Sequence, residues 1–416
     1  MDNKTEVLAI GWHAKTVAAF ERLGRRVVSA VEVKDLAKAS ALCGEENLPV
    51  VTDARNVESV LAGLTRAGVD PRRFEAIFSI HELSLVTASA LSQLTGLPAL
   101  PLGSAIALRD KLVQKRLIRE AGLRVADCRP IGRLEELAGV RWQGPLVVKP
   151  FADAGSRNTF PIRTPEDLEA LLGGDGPGRG SGPWLVEEFV EGAELHLDGV
   201  VRDGELLFLS VSRYLQNVIS VRSGGLVGSV LLDPVTAPDL YEQARDLTAG
   251  SLRALGHRDG VFHLEAFRGA AGLVFSECAG RIGGGMIPDV NQQVFGVDLV
   301  EEFARAVLGI PSGVGAGAGT GSSQGTSCGF VQLSAPAGRI SRMPTEDAVK
   351  ARPGCVTVRL ALAEGADVPD FSAGSHLMAG KAVLVADDEA ELERRMHDLV
   401  GWFRQAVVTG PQSVPA

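Results

Sequence analysis

Two short apolar runs, Val261–Phe267 and Leu273–Glu277, constrain this chain more than any other stretch. A Gly/Ala turn joins them and the glycine run Gly283–Gly285 follows. The pattern VFHLEAFRGAAGLVFSECAGRIGGGM predicts a β-hairpin with one glutamate per strand among apolar neighbours, Glu265 and Glu277. A carboxylate on a buried strand is costly unless something pairs it. Antiparallel neighbours would bring the two to one point, with Arg281 just beyond. A hard cation such as Mg²⁺ takes carboxylate oxygens and keeps phosphate oxygens as other ligands. On this stretch alone an ordinary hairpin with two solvated acids stays open.

The N-terminal hundred residues predict a different architecture. An apolar run at Thr5–Ile10 ends at Gly11, a helical pattern continues through Leu23, and Arg26–Val31 reads as a second strand. This β-turn-α-β unit implies a parallel sheet. The turn Gly11-Trp12-His13 lacks the three spaced glycines of a dinucleotide site. Val50–Thr52 and Ala76–Ile80 add strands, and His81-Glu82 follow the C-terminal end of the last one. Ligands of open α/β sheets sit at that end of the strands. Both residues are therefore candidates to contact a polar substrate; the alternative is that Glu82 caps the following helix.

Further on, Ala107–Ala121 reads as an amphipathic helix stopped by Gly122. Lys111 near its start either points to an anion or is a solvated surface lysine. Gly144–Phe151 reads as a strand containing Lys149, the only lysine between Lys115 and Lys350. With the following Asp153–Asn158 turn (DAGSRN) it has the makings of a phosphate cradle: a point charge plus flexible backbone N–H groups. A lysine stem snorkelling at a strand end is the competing reading. Trp184–Val190 is a strand with paired acids, and His196–Val201 with Glu205–Ser212 form a hairpin around Asp203-Gly204. Helices are expected at Tyr241–Leu255, Asp298–Leu308 and Glu389–Val407, and strands at Gly329–Ala335, Cys355–Leu362 and Ala382–Ala386.

Composition narrows the class of function. Net charge is -9 without a basic block, which argues against nucleic acid or an anionic membrane as the main partner. No apolar run is long enough to span a bilayer, and the start lacks a signal-peptide pattern. Five scattered cysteines without a CxxC pair fit a reducing cytoplasm and no structural zinc; Cys278 reads as a small buried filler.

The motifs acquire meaning from their order. A helix lysine, a strand lysine with a Gly/Ser loop, WLVEEFVEGAE, a strand glutamate and then E-x-x-x-R-x-G-G-G resemble the ATP-grasp superfamily of carboxylate–amine ligases. Within it the nearest resemblance is to the L-amino-acid (dipeptide) ligase and carnosine synthase-like group. It covers essentially the whole chain. It implies an α/β and α+β protein with the ATP-grasp fold. A pre-ATP-grasp domain with a Rossmann-like parallel sheet would occupy 1–102. Central nucleotide-clamping subdomains would occupy 103–311, with a small lid at about 125–190. A flexible Gly/Ala/Ser linker at 312–328 would lead to a C-terminal α+β lobe at 329–416.

The resemblance also implies roles. Lys111 and Lys149 would contact nucleotide phosphates, covered by the loop at Ser156; Glu187, Glu188, Phe189 and Val190 would run along adenine, mostly through backbone groups. Glu194 would take the ribose hydroxyls, and Glu265 and Glu277 would hold Mg²⁺. Arg281, counted with Lys149 as catalytic, would stabilise the transferred phosphoryl group; Glu82, Arg281, Gly283 and Gly284 would bind substrate. Implied cofactors are ATP and one or two Mg²⁺ ions, with Mn²⁺ able to substitute. Many family members have asparagine where this chain has Ala279, so the metal shell would need water or Asn291 to complete it.

The expected activity joins a small carboxylic acid, an amino acid by preference, to an amine through an acyl-phosphate, releasing ADP and phosphate. A bicarbonate-dependent carboxylase and a non-catalytic ATP-binding protein are the alternatives. Expected partners are small-molecule carboxylate and amine substrates, a carrier protein if the amine is tethered, and a second copy in a homodimer. The acceptor pocket is expected to include Arg213 and Arg222 or to leave them as surface arginines.

Overall fold

The computed structural model describes residues 5–411 apart from 45–47, 139–143, 153–154, 156–157, 174–181, 224, 316–325 and 372–376. Its N-terminal sheet is wholly parallel, in the order Val50–Val51, Arg26–Glu32, Glu6–Ile10, Ile77–Phe78. Parallel strands end on one side, so Gly11 and His81 come together there. A Cβ on Gly11 would sit 2.3 Å from the His81 ring, and its φ of +93° also demands glycine.

A second sheet of four antiparallel strands, ordered Cys128–Ile131, Trp184–Glu188, Leu146–Pro150, Phe160–Ile162, encloses its own small core around Trp184 and Val148. The third and largest sheet has eight strands. It runs from Gly272–Ala279 through Gly260–Gly269, Ala193–Arg202, Glu205–Tyr214 and Gly228–Leu231. It then continues through Ser327–Leu333, Gly380–Ala386 and Cys355–Leu360. Strands from the C-terminal ninety residues thus extend the sheet that carries Glu265.

Alternation sorts the hairpin's side chains. Phe262, Leu264, Ala266 and Phe275 enter the main core, packed against Leu252 and Leu255 of the Pro238–Leu255 helix and Ile118 of the Lys111–Glu120 helix. His263 and Glu265 take the opposite face. Glu265 lies directly across from Glu277, and the register slips immediately afterwards, where Ala266 pairs with Phe275. Such a bulge re-aims side chains next to a site.

The structure corrects one helix boundary. The expected Ala107–Ala121 helix starts only at Lys111 and runs to Glu120, and Ala107 instead ends a separate helix, Leu102–Ala107. Asp110 breaks it because its carboxylate accepts from the Val113 N–H and caps the second helix. Lys111 therefore stands at a helix start, where its own N–H donates to the Phe151 carbonyl, next to the strand of Lys149.

Candidate functional site

The Lys111–Glu120 helix, the four-stranded sheet and the carboxylate hairpin converge on one cleft. It is lined by Lys111, Lys149, Glu187–Val190, Glu194, Glu265 and Glu277. Gln114 locks the helix to the hairpin. Its amide donates to the Cys278 carbonyl (2.8 Å) and accepts from the Cys278 N–H (2.9 Å), so the side chain pairs as another strand would. One turn away, Lys111 Nζ lies 2.9 Å from Glu277 Oε2. Burial opposes ionisation of Glu277, but Lys111, Lys149 and Arg281 outweigh it and hold the carboxyl down to about 2.

The side chain of Glu187 has a role outside the expected backbone one. Its buried carboxylate lies 3.1 Å from Lys149 and 3.2 Å from Lys115, tying two lysines of separate elements together beneath the cleft. Lys115 was not among the expected site residues. The clue was its spacing of four from Lys111, which puts both on one face of a helix. The N–H groups of Glu188 and Phe189 already donate to the Asp127 and Pro145 carbonyls, and the Arg163 guanidinium stacks 4.2 Å over the Phe189 ring. Val190 completes this wall. Ser156 lies outside the described residues, as does the side chain of Arg222.

Glu194 is buried and accepts from the Val218 N–H at 2.7 Å; burial and the charge of Glu265 push its carboxyl up to about 8. The carboxyl groups of Glu194, Glu265 and Glu277 are crowded into one wall, although Lys111 and Lys149 face it. A divalent cation between Glu265 and Glu277 would relieve that crowding, and two opposed carboxylates are a hard donor set of the right kind. Asn291 does not line this cleft. It sits in the Ile287–Phe295 helix, and its amide donates back to the Ile287 carbonyl.

Behind Glu265 lies a polar network absent from the sequence reading. The His196 ring donates to Asp198 (2.6 Å) and pairs with the Ser229 hydroxyl (2.8 Å); His263 donates to the other Asp198 oxygen (2.8 Å). The far nitrogen of His263 lies 3.5 Å from Glu265, whose carboxylate also accepts from the Tyr214 hydroxyl at 3.0 Å. His196, Asp198 and His263 lie close enough to ligate a metal. However, each Asp198 oxygen is already occupied by an imidazole N–H, so the group reads as a proton-filled brace for Glu265. Burial lowers the affinity of His263 for a proton, but Asp198 and Glu265 prevail and raise it to about 10. Its sequence trace is two alternations on adjacent strands, His196-x-Asp198 and His263-x-Glu265. The cross-strand neighbour of His263 is Ala279, whose small side chain stands at the expected asparagine position.

The cleft adjoins a polar cavity of about 980 Å³ beyond the glycine run. Arg281 and Glu82 meet in its wall: Nη2 and Nε of the guanidinium lie 2.7 and 3.1 Å from one carboxylate oxygen. Glu82 stands in the first turn of the short Glu82–Ser84 helix with its carboxylate paired to Arg281, and His81 beside it turns its ring to the Trp12 carbonyl. Gly283 and Gly284 both line the cavity but for different reasons. A Cβ on Gly283 would come within 2.5 Å of Asp198 Oδ1 and 2.9 Å of His263; one on Gly284 would meet nothing. Gly283→Ala is expected to destabilise the protein by about 1–3 kcal/mol in urea unfolding. Gly284→Ala should cost below about 0.5 kcal/mol. Equal costs would contradict this division. Arg213 is excluded from the pocket, since its guanidinium pairs with Glu389 and Glu393.

No family model matches the chain. Over 261 residues it is 31% identical to the L-arginine-specific L-amino acid ligase of Bacillus subtilis, covering 60% of this chain and 61% of that protein. It therefore spans about three-fifths of that relative. Dapdiamide A synthase of Enterobacter agglomerans is 23% identical over 359 residues, 83% of this chain and 81% of its own. Human carnosine synthase 1 is 28% identical over 264 residues, 58% of this chain but 31% of its own. In structure, the L-amino acid ligase from Bacillus licheniformis superposes with a TM-score of 0.78 at 17% identity, over 99% of this chain and 100% of that one.

Proposed function

We propose that this chain, which has the ATP-grasp fold and is related to L-amino-acid ligases and carnosine synthases, is an ATP-dependent ligase. In this reading it activates an amino acid or another small carboxylic acid as an acyl-phosphate and couples it to an amine. The observation that carries the reading is the junction of two sites. Lys111, Lys115 and Lys149 converge with Glu265 and Glu277 on one cleft, and Arg281 stands where that cleft meets a polar cavity.

A carboxylate is a poor electrophile, so it must first be activated. The substrate carboxylate attacks the γ-phosphorus, the bond to the β-phosphate oxygen breaks, and ADP leaves. The amine then attacks the acyl carbon and phosphate departs. Phosphoryl transfer depends on positioning and charge neutralisation. Lys149, braced by Glu187, supplies a fixed positive charge, and Lys111 is poised to exchange Glu277 for a phosphate oxygen. Mg²⁺ held by Glu265 and Glu277 would neutralise further charge on the phosphates. Tyr214 and His263 keep Glu265 in one orientation. Arg281 would face the carboxylate that becomes phosphorylated, and Glu82 fixes the plane of its guanidinium. The sequence relatives include an L-amino acid ligase and carnosine synthase 1, which favours an amino-acid ligase over a carboxylase.

The test is phosphate release from Mg-ATP with amino acids supplied singly and in pairs, and mass detection of product. Release that requires two amino acids and yields a condensed product is expected. Release that requires bicarbonate instead, or no release with any pair, would overturn the proposal.

A further inference from the structure

The far wall of the polar cavity carries more positive charge than its acids compensate. Lys15, from the Ala14–Arg22 helix, and Arg359, from the Cys355–Leu360 strand, both bind Asp289. Lys15 lies 3.0 Å from each carboxylate oxygen, and Arg359 Nη1 lies 3.1 Å from one. Lys381 completes the group. It hydrogen-bonds the Gly285 carbonyl at 2.9 Å and forms no ion pair among the described residues. All four line the cavity, where two of the three cations share the one carboxylate and the third has none among the described residues.

Strand pairing makes the arrangement costlier. Arg359 and Lys381 are directly opposite each other in the antiparallel register. Like charges in that relation destabilise a sheet. Burial, Arg359 and Lys15 all lower the proton affinity of the Lys381 ammonium, so its charge is held against opposition. Elsewhere in the wall Glu32 pairs with Lys34 at 2.6 Å, Asp53 with Arg55 at 2.9 Å and Glu82 with Arg281 at 2.7 Å, while Asp35 and Arg109 line it outside these pairs. Lys15, Arg359 and Lys381 lie together past the glycine run, around Asp289 and the Gly285 carbonyl.

We propose that Lys15, Arg359 and Lys381 form a subsite for an anionic side chain, so that one substrate is an amino acid with a carboxylate or phosphoryl group besides its α-carboxylate. The cations come from the N-terminal helix and from two strands of the C-terminal segment. An anion bridging them would therefore also tie those two parts of the chain across the cavity. A guanidinium beside two ammonium groups suits a planar carboxylate or a tetrahedral phosphoryl group. The inference rests on the ligase reading for the meaning of the cavity, but its test does not need turnover.

Binding to the full chain in Mg-ADP is measured calorimetrically for L-aspartate, L-glutamate and O-phospho-L-serine. L-asparagine, L-glutamine and L-serine serve as their neutral counterparts. At least one acidic amino acid is expected to bind tenfold or more tightly than its counterpart. Which of the three shows the largest ratio separates carboxylate from phosphoryl recognition. Lys381→Met, and independently Lys15→Gln, should bring the ratio below threefold. Ratios near one in the wild-type protein, ratios that survive both substitutions, or no binding of any acidic ligand would each overturn the subsite. Absence of phosphate release with intact selective binding would instead count against the ligase reading alone.

Discussion

Glu277→Gln should lower turnover by at least about 100-fold, some 2.7 kcal/mol of barrier, while ADP affinity changes by only a few-fold. The asymmetry follows from the geometry. Glu277 contributes one of two opposed carboxylates, and Lys111, Lys149 and Arg281 keep it ionised by lowering its pKa to about 2. The neutral amide keeps the shape but loses half of the anionic donor set for a divalent cation. It also removes the carboxylate charge that lies 2.9 Å from Lys111, so that this contact can go to phosphate in the ground state. Ground-state binding is thereby partly restored while the arrangement for transfer is not, and kcat falls more than affinity. Steady-state kinetics beside equilibrium ADP binding decide the matter. Turnover within about tenfold of wild type would remove Glu277 from the metal role.

Arg281→Met should produce a loss of the same order, at least about 100-fold in kcat, with Arg281→Lys recovering little of it. The guanidinium approaches a single Glu82 oxygen through two nitrogens and donates through the third to the Ile282 carbonyl. A lysine ammonium reproduces neither the plane nor the fork. Removing Arg281 also leaves the buried Glu82 carboxylate without its partner, which costs stability of its own. The cycle therefore includes Glu82→Gln and the double variant, with circular dichroism to confirm folding. If Arg281 acts on the reacting carboxylate, the double variant stays as inactive as Arg281→Met. If Arg281 serves only to satisfy Glu82, the double variant recovers activity and the catalytic assignment is wrong.

Much of the frame was legible in the sequence because it depends on local pattern. Alternation and β-branched runs mark the strands, and a glycine at each turn marks their ends. The unit at Thr5–Val31 therefore announces a parallel sheet, and Val261–Glu277 announces a hairpin with its carboxylates on one face. Lys149 could be singled out because a lysine in an apolar strand needs a partner. The break at Asp110 was missed because a capping aspartate and a surface aspartate look alike within an amphipathic pattern.

What the tertiary structure alone decided is how these charges are paired. Nothing local to Lys149 names Glu187 as its partner, nor Lys115 as the second lysine on the same carboxylate. Arg213 lies beside the expected pocket segment in sequence yet turns to Glu389 and Glu393, some 176 to 180 residues away. Lys15, Asp289, Arg359 and Lys381 are likewise scattered over the chain and meet in one wall. The sequence by itself determined the longer strands and which of them carry charge, since hydrophobic periodicity is a property of neighbours along the chain, whereas Cys128–Ile131, Phe160–Ile162 and Gly228–Leu231 became strands only through their pairing. Which charges face each other is set by register and sheet order, and those depend on burying the whole apolar surface at once.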